Sequence, residues 1–265
     1  MNSFKQELEK VKSNFDFSLI RKCVNSELQE LLNATKDLFK GEDCYVLACG
    51  PSLNSYSNEY LRQVLKDKLV FCIKQSVNGL EDICSAYFWN CCNVSQNKLP
   101  NGGLTVASSN YPLGFRISAN DNFDIFFKVP LLEEVSRGWE DTILSKKNFN
   151  DLYINKGIFR DIGPGIFMES VLPFVIHFGC KKVITLGYDC NADILRSEGK
   201  KIRIDTKNCK TENEVNFHTI NSDIECPLLR ESSKDLFLWL KSIGTTWETL
   251  SKNHVLSDLI KTVKI

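Results

Sequence analysis

The sequence lacks an excess of charge of either sign, since 33 Lys and Arg residues balance 33 Asp and Glu residues over 265 positions. Nucleic-acid binders normally carry a basic surplus, so we expect no nucleic-acid partner. Apolar runs long enough to cross a bilayer are missing, and so is a signal-peptide core. We therefore expect a cytoplasmic protein, with peripheral association at the inner face of a membrane as the other option.

Several common catalytic motifs are also missing. There is no G-x-S-x-G elbow, no Walker lysine motif and no complete G-x-G-x-x-G, which argues against kinases, P-loop enzymes and common dehydrogenases. A D-x-D motif is absent too, so a metal-dependent sugar-nucleotide site has little support. We expect neither a bound metal nor a cofactor.

Cysteine is present, with 11 residues, but its placement does not suggest a disulfide scaffold. Some of these residues fall inside apolar runs, where Cys behaves as a small hydrophobe: Cys44, Cys49, Cys72 and Cys180. A second group lacks the paired C-x-x-C spacing of a zinc site: Cys84, Cys91 and Cys92. We expect reduced thiols, as in a cytosolic protein.

The hydrophobic pattern divides the chain into two parts. Residues 1–40 have helical spacing and predict a helical prelude that packs on the main domain or on a second subunit of a homo-oligomer. Residues 41–265 alternate strands with helices, which predicts an α/β domain with a mostly parallel sheet and helices on both faces. Two polar or irregular segments, about 93–160 and 191–225, are expected to form lid regions.

Individual elements follow from the same pattern. The predicted strands are Tyr45–Cys49, Leu69–Ile73, Ala86–Asn90, Leu104–Ser108, a run within Phe123–Val129, Lys182–Leu186, and Thr246–Leu250 as a strand or turn. The predicted helices are Asn58–Lys66, one from Pro164 to Phe178 with a kink at Pro173, Ser232–Ile243, and a terminal helix at Leu256–Val263.

Polar or Gly-bearing turns follow the first three predicted strands. Gly50 permits a tight turn, and Pro51, Ser52 and Asn54 follow it where backbone N–H groups are expected to be unpaired. Such a strand–turn–helix corner suits an anion. An ordinary β-to-α turn would give the same residues. Further along, Gln75 and Asn90 occupy strand ends. Open α/β sheets bind ligands beyond these ends.

Two later segments carry similar signals. Gly163, Pro164 and Gly165 form a second Gly-bearing entry to a helix, since Pro fits the first helical turn. Asp189 closes the strand Lys182–Leu186 within Gly187-Tyr188-Asp189. Its carboxylate is a candidate to orient a ligand hydroxyl, and the alternative is that it caps the following turn.

The sequence holds three histidines, which can be weighed one by one. His177 falls in an apolar helix and is expected to be structural. His254 falls in a polar turn near the C-terminus and is expected to be solvated. His218 follows a long polar segment, a placement that suits a general base on a closing lid, because imidazole takes protons near neutral pH.

Taken in order, these motifs resemble the small bacterial sialyltransferases that modify lipooligosaccharide with sialic acid from CMP-sialic acid. The resemblance runs from about Cys44 to Leu250. The matching motifs are G-P-S-L at residues 50–53, the glutamine of an N-Q pair at Gln75, Asn90 after an aromatic strand, the helix entry Ile162–Met168, the G-x-D at residues 187–189, and a histidine five residues before an aspartate, His218 and Asp223.

The resemblance implies a Rossmann-like fold, a variant of the GT-A glycosyltransferase type, and metal-independent, inverting transfer of an acidic sugar. It implies that residues 50–54 meet the nucleotide or phosphate of a CMP-sugar, Gln75 and Asn90 the ribose side, and residues 163–165 the charged end of the donor. His218 would be the base. The acceptor would be a glycan or a lipid-linked glycan.

The chain also departs from the family pattern. Cys49 stands where the family has an asparagine, and the tyrosines that bond the leaving phosphate have no counterpart after Asp189. A neighbouring group shares the G-P-S-L and G-x-D motifs and includes motility-accessory proteins and archaeal pterin diphosphokinases. The alternatives are therefore an ATP-dependent pterin diphosphokinase-like enzyme and a non-catalytic nucleotide-binding protein.

Overall fold

A computed structural model describes residues 35–90, 103–109, 125–128, 149–150, 166–189 and 225–265. The helices predicted before residue 35 lie outside this part of the chain. So do most of the two predicted lid segments, with His218, and so do residues 163–165.

The described residues form a seven-stranded sheet. Its strands are β1 (Asp43–Leu47), β2 (Leu69–Ile73), β3 (Ala86–Asn90), β4 (Leu104–Ser109), β5 (Ile125–Lys128), β6 (Lys182–Leu186) and β7 (Thr246–Thr249). The strand order is β5-β4-β3-β2-β1-β6-β7, and every neighbouring pair is parallel. This confirms the predicted α/β, Rossmann-like class, with β1 beside both β2 and β6.

The strands form where they do because their residues are apolar on both sides. In β1, Val46 packs into one hydrophobic cluster and Leu47 into the cluster on the opposite face. In β2, Phe71 and Cys72 divide in the same way. Successive side chains of a strand point to opposite faces, so an unbroken apolar run requires cover on both.

Helices supply that cover. They are α1 (Asn58–Leu65), α2 (Leu172–His177) and α3 (Glu225–Ser242). Leu61 and Leu65 of α1 pack on the face that holds Leu47, whereas α2 and α3 contribute to the cluster on the other face. Helices on both faces were predicted, and the structure confirms them.

The segment before α2 is irregular near the proline at which a kink was predicted. Residues Phe167–Val171 form a π-helical turn, in which the N–H of Leu172 donates to the carbonyl of Phe167. Pro173 then lies in the first turn of α2. Proline has no N–H to donate, so the regular ladder of the α-helix cannot continue back through this position.

Two helix predictions are wrong. Helix α3 begins at Glu225, seven residues before the predicted start at Ser232. The predicted helix Leu256–Val263 is instead a series of turns. There, Thr249 donates its N–H to the carbonyl of Lys261 and accepts from the N–H of Val263, so the backbone pairs with β7 rather than with itself.

The C-terminal turns are held to two helices. Tyr60 of α1 donates its hydroxyl to the carbonyl of Ile265, and Arg230 of α3 contacts both the carbonyl of Val255 and the carboxylate of Asp258. Apolar residues of this segment, such as Leu256 and Ile260, are buried in the core. Of the helices within the described ranges, none is long and apolar enough to span a bilayer.

Candidate functional site

The candidate site lies at the carboxyl ends of β1, β2 and β6. The chain connects β1 through α1 to β2 on one side, whereas its neighbour on the other side, β6, comes more than a hundred residues later. The order in which strands are added to the sheet therefore reverses at β1. In a parallel sheet, such a reversal leaves a crevice beyond the carboxyl ends of the strands, where ligands bind. We call the residues that follow these three strands, 48–54, 74–76 and 187–189, the edge site.

The loops after β1 and β6 are bonded to each other. The N–H of Gly50 donates to the carbonyl of Gly187 at 2.8 Å. The N–H of Ser52 donates to Oδ2 of Asp189 at 2.6 Å, and the Ser52 hydroxyl donates to Oδ1 at 2.6 Å. In turn, the N–H of Gly187 donates to the Ser52 hydroxyl at 3.1 Å. Residues that the sequence analysis singled out separately therefore form one connected corner.

The close approach of the two loops explains both glycines. A Cβ on Gly50 would lie 2.3 Å from the carbonyl oxygen of Gly187 and 2.7 Å from Oδ2 of Asp189. Gly187 has φ +80°, and a Cβ there would lie 2.2 Å from the carbonyl oxygen of Ala48. A side chain of any size would push the loops apart, and at residue 187 it would also strain the backbone.

The corner differs from its expected state in one respect. Unpaired N–H groups were predicted after Gly50, whereas the N–H of Ser52 donates to a carboxylate of the same chain. Asp189 is 2% exposed and also accepts from the Ser251 hydroxyl at 3.3 Å. The carboxylate of Asp189 thus occupies the position at which an external anion was expected.

The other predicted residues of this corner differ in exposure. Pro51 and Ser52 are buried, whereas Asn54 is exposed. All three belong to a short 3-10 helix, Pro51–Ser55. Of these three predicted site residues, Asn54 is the one whose polar side chain is exposed to solvent.

The end of β2 adds a second polar group. Cys49 Sγ lies 3.0 Å from the carbonyl oxygen of Ile73 and 3.3 Å from Oε1 of Gln75, so its single proton is shared between two acceptors. Burial raises the pKa of the Cys49 thiol, while the charge of Lys74 and two backbone hydrogen bonds oppose that rise. The protonated thiol holds Oε1 of Gln75 towards β1, which leaves the amide NH2 group to donate elsewhere.

Ser76 fixes the same turn to the sheet. Its hydroxyl donates to the carbonyl of Leu47 at 2.7 Å and accepts from the N–H of Ile73 at 2.9 Å. Lys74, between them, has φ +49°, a left-handed conformation that is uncommon for residues other than glycine. The turn after β2 is thus held in one shape by hydrogen bonds to both strands.

Five of the predicted site residues lie wholly or partly outside the described part of the structure. Asn90 ends β3 as predicted and is paired with Ser108 of β4, but its side chain lies outside the described part of the structure. Gly163, Pro164, Gly165 and His218 lie outside it altogether. The structure brings together Gly50, Pro51, Ser52 and Asp189, with Gln75 beside them at the end of β2.

The remaining two histidines have different surroundings. His177 ends α2 and its Nε2 lies 3.0 Å from the Thr35 hydroxyl, in keeping with a structural role. The prediction of a solvated His254 is wrong, because this residue is fully buried. Its ring packs against those of Tyr188 and Trp247, at centroid distances of 5.5 and 5.3 Å, and burial lowers its pKa to about 3.

Sequence reasoning missed two residues near the corner. Ser251 bonds to Asp189, and its hydroxyl also accepts from the N–H of Asn253 at 3.0 Å. It follows β7, which pairs with β6, so its position at the same sheet edge was available once β7 was predicted as a strand. The burial of His254 was missed because Lys252 and Asn253 before it are polar, although Val255 and Leu256 after it are apolar.

The described ranges contain no arrangement of side chains suited to a metal ion. No group of three or more His, Cys, Asp or Glu side chains there is arranged to hold an ion. Five cysteines whose side chains the structure describes are not in disulfides: Cys44, Cys49, Cys72, Cys84 and Cys180.

Neither the protein-family models nor the curated proteins contain a match. Among solved structures, the chain is similar to the sialyltransferase CstII from Campylobacter jejuni in complex with the substrate analogue cytidine-5'-monophosphate, with 17% identity, a TM-score of 0.41, and coverage of 85% of this chain and 86% of that one.

A second structure of CstII, in complex with CMP-3FNeuAc, gives 17% identity, a TM-score of 0.39, and coverage of 84% and 85%. Similarity at this level establishes neither a shared family nor a shared activity. The fold assignment rests on the strand order and pairing described above.

Proposed function

We propose that this protein is a metal-independent, inverting glycosyltransferase that moves an acidic sugar from a CMP-activated donor to a glycan acceptor. The sugar is of the sialic acid or Kdo type. The single observation that carries the proposal is the corner at which Ser52, after β1, is bonded to Asp189, after β6. It places the G-P-S-L and G-x-D motifs of the sequence analysis side by side at the crevice of a parallel sheet.

Each part of the site has a role in this reaction. The rigid corner forms a wall of the crevice, and the exposed Asn54 and the Gln75 amide are the polar groups that reach the nucleotide. Asn90 lies further along the same edge for the ribose side, and residues 163–165 take the charged end of the donor. The protein then contributes mainly by positioning two substrates, an effect large enough to dominate catalysis.

The chemical step needs one proton acceptor. The acceptor hydroxyl oxygen forms a bond to the anomeric carbon, the bond from that carbon to the phosphate oxygen breaks, and CMP leaves. The proton of the hydroxyl passes to the imidazole of His218. A phosphate leaving group has low basicity, so orientation and charge stabilisation matter more than protonation of the leaving oxygen.

A ligand panel tests the nucleotide. CMP and one of two CMP-sugars, CMP-sialic acid or CMP-Kdo, should raise the melting temperature, because a ligand that binds only the folded state stabilises it by about 3 kcal/mol at a hundred times its Kd. UDP should not. Stabilisation by ATP with Mg²⁺ alone would instead favour the pterin diphosphokinase-like alternative. CMP binding without release of CMP from either sugar nucleotide would favour a non-catalytic binding protein.

Replacement of His218 tests the base. In His218→Ala, turnover of the CMP-sugar should fall about a hundredfold or more, the usual contribution of a general base, while the melting shift with CMP stays unchanged. Thr219→Ala, in the same segment, is the control and should keep its turnover. Retained turnover in His218→Ala, or equal loss of turnover and CMP binding, contradicts the assignment.

A further inference from the structure

The phosphate of the proposed donor needs a positive partner at the edge site. The corner after β1 is not available for it, because both the N–H and the hydroxyl of Ser52 already donate to Asp189 at 2.6 Å. A phosphate placed there would meet a second anion, and repulsion between charges is strong where water is excluded. The partner has to come from a neighbouring strand end.

Lys74 is a cation at that place. It follows β2 directly, and β2 pairs with β1 from Cys44 opposite Leu69 to Leu47 opposite Cys72. The next residue, Gln75, contacts Cys49, which precedes Gly50 in the corner. Lys74 is thus adjacent to the corner through the β1–β2 pair.

The conformation of Lys74 is unusual for its residue type. Its φ of +49° is strained for a residue with a Cβ. The turn is held in that shape because the Ser76 hydroxyl accepts from the N–H of Ile73 and donates to the carbonyl of Leu47. Strained backbone of this kind collects at ligand sites, where it directs a side chain that a relaxed turn would point elsewhere.

The ammonium group of Lys74 is not neutralised by a carboxylate in the described part of the chain, where ion pairs involve other residues. The side chain is partly buried. Its positive charge is close enough to the Cys49 thiol to favour the thiolate form. Lys74 is thus a cation at the end of β2 that no carboxylate within the described ranges pairs.

We propose that Lys74 binds the phosphate of the nucleotide donor, an inference that rests on the proposed function. A lysine ammonium is a compact point charge that binds phosphate without a fixed geometry. With the phosphate on Lys74, the adjacent Gln75 amide lies beside the nucleoside. Asp189 then keeps its bonds to Ser52 while the donor binds.

The test compares CMP with cytidine, which lacks the phosphate, by isothermal titration calorimetry. Wild-type protein should bind CMP more tightly than cytidine. In Lys74→Met, which keeps the length of the stem and removes the charge, affinity for CMP should fall at least tenfold and affinity for cytidine should not change. Lys252→Met is the matched control: this lysine is exposed in the turn after β7, at the same sheet edge, and should leave both affinities unchanged.

The outcomes separate this inference from the proposed function. If wild type prefers CMP over cytidine and Lys74→Met keeps that preference, the role of Lys74 is overturned and the function stands. If wild type instead prefers ATP over adenosine, and Lys74→Met removes that preference, Lys74 binds phosphate but the donor is wrong. If wild type binds no nucleotide, both are overturned.

A second variant distinguishes phosphate binding by Lys74 from a purely structural role of this residue. Glycine adopts φ near +49° without strain, so Lys74→Gly should melt no lower than wild type and should still lose the preference for CMP over cytidine. A lower melting temperature with the preference intact would mean that Lys74 serves the fold, and would overturn the inference.

Discussion

Replacement of Asp189 by alanine should lower the free energy of unfolding by about 4 kcal/mol. The carboxylate accepts two short hydrogen bonds from Ser52, one from its N–H and one from its hydroxyl, each 2.6 Å long. Hydrogen bonds to a charged group contribute roughly 1.5–3 kcal/mol each, and loss of the acceptor leaves buried donors unsatisfied. Asp189 is 2% exposed, so water cannot readily take its place.

Urea unfolding measures this loss, and Ser251→Ala provides the control. Ser251 also donates to Asp189, but at 3.3 Å, so its removal should lower the free energy of unfolding by only about 1 kcal/mol. Ser52→Ala combined with Asp189→Ala should be much less destabilising than the sum of the two, because the two residues share their bonds. Additive effects, or a loss below about 1 kcal/mol for Asp189→Ala, would show that the corner is not a coupled unit.

A rigid corner has a consequence for ligand binding. Because the loops after β1 and β6 are bonded to each other by groups of this chain, the crevice wall requires no bond from the donor. Binding then requires less ordering of the protein, which is the usual source of lost affinity. Because the N–H and the hydroxyl of Ser52 both donate to Asp189, Ser52 cannot also hold a phosphate. The turn after β2 instead contains Lys74, the phosphate partner that we propose.

Several strands were predictable because the apolar residues that define them are consecutive in the sequence. β2, β3 and β6 have the bounds that the sequence analysis gave them, since each is a continuous apolar run that ends at polar residues or glycine. β1 was placed two residues too late. Ala48 and Cys49 continue the apolar run, but Cys49 has already turned towards Gln75.

The errors at the C-terminal end have a physical cause. Apolar residues between 255 and 263 have helical spacing, but their burial comes from separate contacts with the core while the backbone pairs with Thr249. The predicted start of α3 at Ser232 left out its first turns, which contain Cys226, Pro227, Leu228 and Leu229. Proline is tolerated in a first helical turn, as the sequence analysis assumed at Pro164, so Pro227 is compatible with this earlier start.

The candidate site was predictable only in part. Strand ends could be located from the sequence, but the partner of Ser52 lies 137 residues away, at Asp189. Nothing in a local pattern states that β6 lies beside β1, because strand order depends on how helices pack between distant strands. The sequence therefore indicated the residues of the corner, and the structure supplied the bonds between them.

Acidification should destabilise the protein through His254. The folded state holds this imidazole neutral, because burial against Tyr188 and Trp247 lowers its pKa from 6.5 to about 3. The unfolded chain takes up the proton below about pH 6.5. The stability that this difference provides is therefore full above pH 6.5 and is lost as the pH falls towards 3. At about pH 4.5 the loss should reach roughly 3 kcal/mol.

A variant that keeps the hydrogen bond but cannot titrate isolates this effect. Nδ1 of His254 accepts from the N–H of Leu256 at 3.0 Å, and the side-chain oxygen of His254→Asn can accept the same bond. At neutral pH the variant should be less stable, because it loses ring packing. We measure the free energy of unfolding of both proteins in urea from about pH 7 to pH 4.5. The difference between the two free energies should narrow by about 3 kcal/mol over this range. Parallel curves would mean that the ring is protonated in the folded state as readily as in the unfolded chain, which full burial does not allow.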